Sequence, residues 1–115
     1  MNLFLTQEID EQGNKVCLGT LSYSDGVYHF RYSDAHNNSS LPREFYVVPG
    51  FKEFDEEYES KKLFWFFADR MMPKSRPDFK EHLARLGMTE FDEWEYLKRT
   101  GSRLMTDDYE LVESL

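Results

Sequence analysis

Val16-Cys17-Leu18-Gly19-Thr20-Leu21-Ser22-Tyr23, a turn at Ser24-Asp25-Gly26 and a return through Val27-Tyr28-His29-Phe30-Arg31-Tyr32 make up the stretch whose reading decides the fold. The side chains repeat with period two. Val16, Leu18, Thr20 and Ser22 alternate with Cys17, Gly19, Leu21 and Tyr23, and Gly26 supplies the positive φ that a tight hairpin turn requires. On the return, Tyr28, Phe30 and Tyr32 share one face while Val27, His29 and Arg31 share the other, the pattern of a half-buried strand.

Working outward, a first strand is expected near Leu3 to Gln7, joined through the polar turn Asp10-Glu11-Gln12-Gly13-Asn14. Asp34 to Ser40 is polar and reads as a loop. Glu44-Phe45-Tyr46-Val47-Val48 reads as another short strand, stopped by Pro49-Gly50. This half is expected to form an antiparallel β-meander or small barrel-like sheet.

From Ser60 the period changes to that of a helix. A first helix is predicted over Ser60 to Met72, ending before Pro73, and a second starts near Pro77 with Phe79, Leu83 and Leu86 on one face and Gly87 as its stop. For the third, Thr89 reads as the capping hydroxyl before an acidic first turn. Phe91, Trp94 and Leu97 share its face, Lys98 and Arg99 complement its C-terminal dipole, and Gly101 closes it. Tyr109 to Val112 is expected to return to the sheet as a last strand. The fold class is therefore α+β, in a single domain spanning all 115 residues.

Composition narrows the function. Lysine and arginine number 14 against 22 aspartate and glutamate, a formal net charge of -8, which argues against direct binding of nucleic acid or an anionic membrane face. The N-terminal residues lack the basic region of a signal peptide, and the longest apolar run, Leu63 to Ala68, is far short of the ~20 residues that cross a bilayer. Cys17 has no second cysteine to pair with, which fits a reducing, cytoplasmic setting. Cys17, His29, His36 and His82 show no metal-type spacing, so neither a metal nor a cofactor is expected. The six glycines stand singly, so there is no phosphate-binding loop, and no nucleophile–base arrangement or acid/base pair stands out. Catalysis is not expected. An aromatic content of 17% is high for so small a core, and rings left outside would suit binding to a partner.

Several segments together resemble the N-terminal subdomain of HipA-type toxin kinases. They are Gly19-Thr20-Leu21 with Phe30-Arg31-Tyr32, Ser40-Leu41-Pro42, Leu63-Phe64-Trp65-Phe66-Phe67-Ala68-Asp69-Arg70-Met71-Met72-Pro73 and Phe91-Asp92-Glu93-Trp94-Glu95-Tyr96-Leu97-Lys98-Arg99-Thr100-Gly101. Because the similarity spans nearly the whole chain, with no length left for a kinase core, the resemblance is to the stand-alone HipS-like antitoxins of split HipBST systems. It implies a protein that binds and inhibits a HipA-like (HipT-type) Ser/Thr kinase, with a helix-turn-helix HipB-like protein in a ternary complex. Two departures from the family pattern stand out. Trp65 occupies a position that is often proline or polar, and Gly101-Ser102-Arg103-Leu104-Met105-Thr106-Asp107-Asp108 replaces the family's Gly-Asp and Gly-Ala after the last helix.

Trp65 can also be weighed from the residues alone. On a wheel of about 100° per residue, with Leu63 at the origin, the apolar face centres near about 40° and Trp65 falls near about 200°, between Met72 and Asp69. Either the helix is buried all round and Trp65 is core, or the indole is exposed and suited to enter a partner's pocket. Between Arg70 and Arg85 lie five basic residues, Arg70, Lys74, Arg76, Lys80 and Arg85, against Asp78 and Glu81, whereas Thr89 to Leu115 carries three basic and eight acidic. The basic segment is either a solvated face or a surface for an acidic or phosphorylated patch on the kinase. The expected partner-binding residues are Trp65, Asp69, Met72, Arg70, Lys74 and Arg76. The alternative reading, drawn from the net charge, is an acidic inhibitor or DNA mimic acting on a nucleic-acid-binding defence protein; a small hydrolase ranks last.

Overall fold

The computed structural model describes residues 1–34 and 42–115. Five strands, β1 (Asn2–Glu8), β2 (Lys15–Ser24), β3 (Val27–Tyr32), β4 (Glu57–Ser60) and β5 (Tyr109–Val112), form one antiparallel sheet in the order β4-β3-β2-β1-β5. Three short helices, α1 (Trp65–Ala68), α2 (Phe79–Arg85) and α3 (Glu93–Thr100), complete the α+β fold. The expected last strand is present, with Leu5 opposite Leu111. Most of the loop expected from Asp34 to Ser40, with His36 and the Ser40-Leu41 part of the motif, lies outside the described residues.

Strict alternation would place Leu18 and Leu21 on opposite faces, yet both are buried. The pairing shows how. Leu5 faces Gly19 and Thr6 faces Cys17, so Leu18 is the extra residue of a β-bulge that turns its side chain inward. Beside it, a Cβ on Gly19 would lie 2.5 Å from the Arg31 carbonyl oxygen and 2.7 Å from Phe30 Cζ. The Phe30 ring lies across this glycine, in the space a side chain would need.

On the inner face, Leu3, Leu5, Leu21, Phe30 and Leu111 meet Val48, Phe51, Phe66, Phe67, Trp94 and Leu97. Phe51 is the hub, with ring centroids 4.3 Å from Phe30, 5.0 Å from Tyr58 and 5.1 Å from Phe64. Most of the aromatic surplus is therefore core. A second cluster, Phe79, Leu83, Met88 and Tyr96, packs α2 against the outer side of α3.

Three sequence expectations are corrected here. Residues Glu44–Val48 do not form a strand; Arg43–Tyr46 is a 3-10 turn entered from Pro42, and Val48 makes only an isolated bridge to Phe51. Proline on both sides leaves too little chain for a ladder, and the Tyr32 hydroxyl takes over the pairing, accepting from Val48 N–H and donating to the Phe51 carbonyl. The helix predicted over Ser60–Met72 shrinks to one turn. Ser60 belongs to β4, paired with Tyr28, and the chain bends at Lys61-Lys62 and takes up helix only after Phe64, because Phe64, Phe66 and Phe67 all turn toward Phe51 or the sheet. The third correction concerns the cap of α3, which is Asp92, whose carboxylate accepts from Glu95 N–H at 2.9 Å, and not Thr89. Phe91 stays off that helix because its ring joins Phe79 and Tyr96 in the second cluster.

Arg70 closes the structure. Its side chain is 5% exposed, and its guanidinium donates to both Asp107 oxygens at 2.6 and 2.8 Å and to the Ser102 carbonyl at 2.6 Å. The Phe66 and Tyr109 rings lie 5.2 and 5.5 Å from its centre. The arginine therefore fastens the C-terminal segment, and β5 with it, to the end of α1.

Two outcomes follow from this packing. Gly19→Ala should lower stability by about 1–3 kcal/mol through overpacking, read as a lower urea midpoint at unchanged slope. Asp107→Ala should cost about 2–3 kcal/mol, below the range for a fully enclosed pair because the carboxylate is about a third exposed. The Arg70 guanidinium holds Asp107 below the usual aspartate range. Its contribution is accordingly full above the unfolded-state value and disappears as pH falls through the lowered one, so wild type should lose more stability on acidification than Asp107→Asn.

Candidate interaction surface

Trp65 opens α1, with Phe66 and Phe67 both buried behind it. Its indole is 56% exposed, so the outward placement read from the wheel holds even though the helix is one turn long. One side of the ring lies against the Pro49-Gly50 turn. Gly50 has φ 93°, and a Cβ there would come within 2.9 Å of the indole Nε1. Since the Tyr32 hydroxyl pins Val48 and Phe51 on either side of this turn, the indole rests on a fixed backbone shelf. Burial pushes the Tyr32 hydroxyl up to about 12, so it stays protonated and able to donate at neutral pH. The importance of Gly50 and Tyr32 went unread in the sequence; the Pro-Gly pair signalled only a turn.

From Trp65 the surface continues one helical turn to Asp69, whose N–H donates to the Trp65 carbonyl at 2.9 Å. Asp69 is exposed and lines a shallow groove with Ala68, Met71, Met72, Pro73, Lys74, Phe91 and Glu93. The groove combines the Met71 and Met72 thioethers and the Phe91 ring with the carboxylates of Asp69 and Glu93, and Lys74 Nζ lies 4.2 Å from the centre of Phe91. The Met72 N–H donates to the Tyr96 hydroxyl at 3.1 Å, which fixes the groove wall to α3. Asp69, Met72 and Lys74 thus line one groove, with Trp65 one helical turn before Asp69. Arg70 does not join them, because it is spent inside the fold on Asp107. Nor does Arg76, which forks onto Asp78 at 3.1 Å at the entry to α2.

This division also shrinks the basic segment. Of its five cations, Arg70 is enclosed, Arg76 pairs with Asp78, and Arg85 stands 4.0 Å from Glu81. Lys74 rides on Phe91, which leaves Lys80 exposed without an ion pair among the described residues. The sequence count therefore overstates the positive surface.

Among the described residues, no group of three or more His, Cys, Asp or Glu side chains is placed to hold a metal ion, and no helix is long and apolar enough to cross a membrane. Fold and surface together define a small α+β domain that offers an aromatic ridge and a groove. The family model of the HipA N-terminal domain matches residues 13–106, and the chain belongs to that family. Membership places it in the HipA-related toxin–antitoxin context, and the HipA N-terminal domain is itself a non-catalytic subdomain. Searches of the curated proteins and of the solved structures find no significant match.

Because the indole rests on a backbone shelf and not in the core, Trp65→Ala should change stability by no more than about 0.5 kcal/mol, the range usual for surface positions. A thermal melt superimposable on wild type is the expected result, whereas a core tryptophan would cost about 3–5 kcal/mol.

Proposed function

We propose that this protein is an antitoxin-type inhibitor that binds a HipA-like Ser/Thr kinase, with Trp65 as its anchor. The carrying observation is the exposed indole in a chain that buries most of its other rings. Large aromatics at the centre of an interface supply a disproportionate share of binding energy, and a ring held on a rigid backbone loses little entropy on docking. Trp65 is followed along the surface by Asp69, Met72 and Lys74, which frame it with an apolar groove and charges of both signs, as partner recognition requires. Arg70 and Arg76 lie outside this surface and support it from within the fold or beside it.

The HipA-related family context favours a role in binding a HipA-like kinase. The chain's acidic balance disfavours direct contact with nucleic acid, so any contribution to operon control would run through a helix-turn-helix HipB-like partner in a ternary complex. The cytoplasm is the compartment that such partners imply.

Co-expression with the cognate HipA-like kinase should relieve the growth arrest that the kinase causes alone. Trp65→Ala should weaken binding by about 2 kcal/mol or more, roughly thirtyfold, in a titration against the purified kinase. Unchanged arrest in the presence of soluble, folded protein would overturn the antitoxin reading. Unchanged affinity of the Trp65 variant would remove the anchor alone.

A further inference from the structure

At the end of the sheet where β1 leaves for the first turn, two large apolar side chains stand in solvent, Ile9 at 38% and Phe45 at 40% exposure. They line one groove together with Gln7, Glu8, Asp10, Glu11 and Asp108. The groove walls are fixed. Glu8 N–H donates to the Asp108 carbonyl at 3.2 Å and Ile9 N–H to the Asn14 carbonyl at 2.8 Å. The Asp10 carboxylate accepts from the backbone N–H of Gln12 and of Asn14 and from the Asn14 side-chain amide, and these bonds hold it below the usual aspartate range and ionised.

We propose that this groove is a second docking surface, built for a basic amphipathic segment of a partner protein, with one apolar side chain seated between Ile9 and Phe45 and flanking lysine or arginine on Glu8, Glu11 and Asp108. Charge complementarity selects the occupant. Among the described residues, four carboxylates and no lysine or arginine line the groove, and Glu8, Glu11 and Asp108 have no ion-pair partner. Gln7, which also lines the groove, has its Oε1 buried without a hydrogen-bond partner among the described residues. An acidic or neutral segment would be repelled or leave these groups unpaired, and nucleic acid and anionic lipid are excluded by the same charges. The surface differs from the Trp65 ridge in both residues and charge, and it does not require that the partner be a kinase.

The test is amide chemical-shift mapping of the full chain with a short synthetic peptide in which leucine is flanked by lysine and arginine. Shifts are expected at Gln7, Ile9, Glu11, Phe45 and Asp108, weakening as salt rises. Phe45→Ser and, separately, the double variant Glu8→Lys with Asp108→Lys should each weaken binding at least tenfold, with thermal melts reporting that the fold is kept. A control double variant, Asp55→Lys with Glu56→Lys, changes the net charge equally at exposed positions outside the groove and should leave affinity within about twofold. Equal loss in both double variants would reduce the effect to net charge and overturn the proposal. So would shifts centred on Asp92, Glu93 and Glu95, or no shifts at millimolar peptide.

Discussion

One guanidinium holds the C-terminal segment of this molecule in place. Arg70 sits between the Phe66 and Tyr109 rings, forks onto Asp107 and reaches the Ser102 carbonyl, so the end of α1, the turn after α3 and the start of β5 all meet on one side chain. A buried cation is tolerable only when its donors are spent and its charge is matched. Asp107 and the carbonyls meet that condition, and they do so only when the C-terminal segment is docked. The requirement makes the ending of the fold specific, because a misplaced segment would leave a charge in the interior.

Docking that segment also determines what remains outside. Phe66 and Phe67 are drawn inward, toward Tyr109 on one side and Phe51 and Phe30 on the other. On a single helical turn the residue before them must then point away. Trp65 is therefore exposed as a geometric consequence of the core, and the Gly50 shelf turns an exposed ring into an oriented one. The same logic separates the charges. One arginine that looked like part of a basic surface is structural, and the groove beside Trp65 keeps charges of both signs while the far end of the sheet is acidic.

Much of this was legible in the amino-acid order. The hairpin of β2 and β3, the return of β5 and the helix closed by Gly101 follow from local signals: alternation, a turn glycine, and a residue able to adopt φ 66° where a helix ends. Trp65 could be placed outward because angular offsets between neighbouring residues survive even when a helix is cut to one turn. The resemblance to the HipA N-terminal domain was readable from motifs whose order, not their individual content, is distinctive, and the family match bears it out.

What the order of residues could not reveal depends on partners far away in the chain. Helical period over 60–72 was outvoted because Ser60 found a ladder partner in Tyr28, and aromatic residues with modest helix propensity found a better place around Phe51. The bulge at Leu18 answers to the core, which needed two leucines three positions apart on one face. Arg70 reads as a surface cation until Asp107, 37 residues later, is brought to 2.6 Å. The strand alternation of the hairpin and the glycines that end turns and helices are properties of neighbours and were determined by the sequence itself. Burial, pairing and the fate of each charge are properties of the folded whole, and only the tertiary structure decided them, because the free energy of a charge or a ring depends on what surrounds it in space.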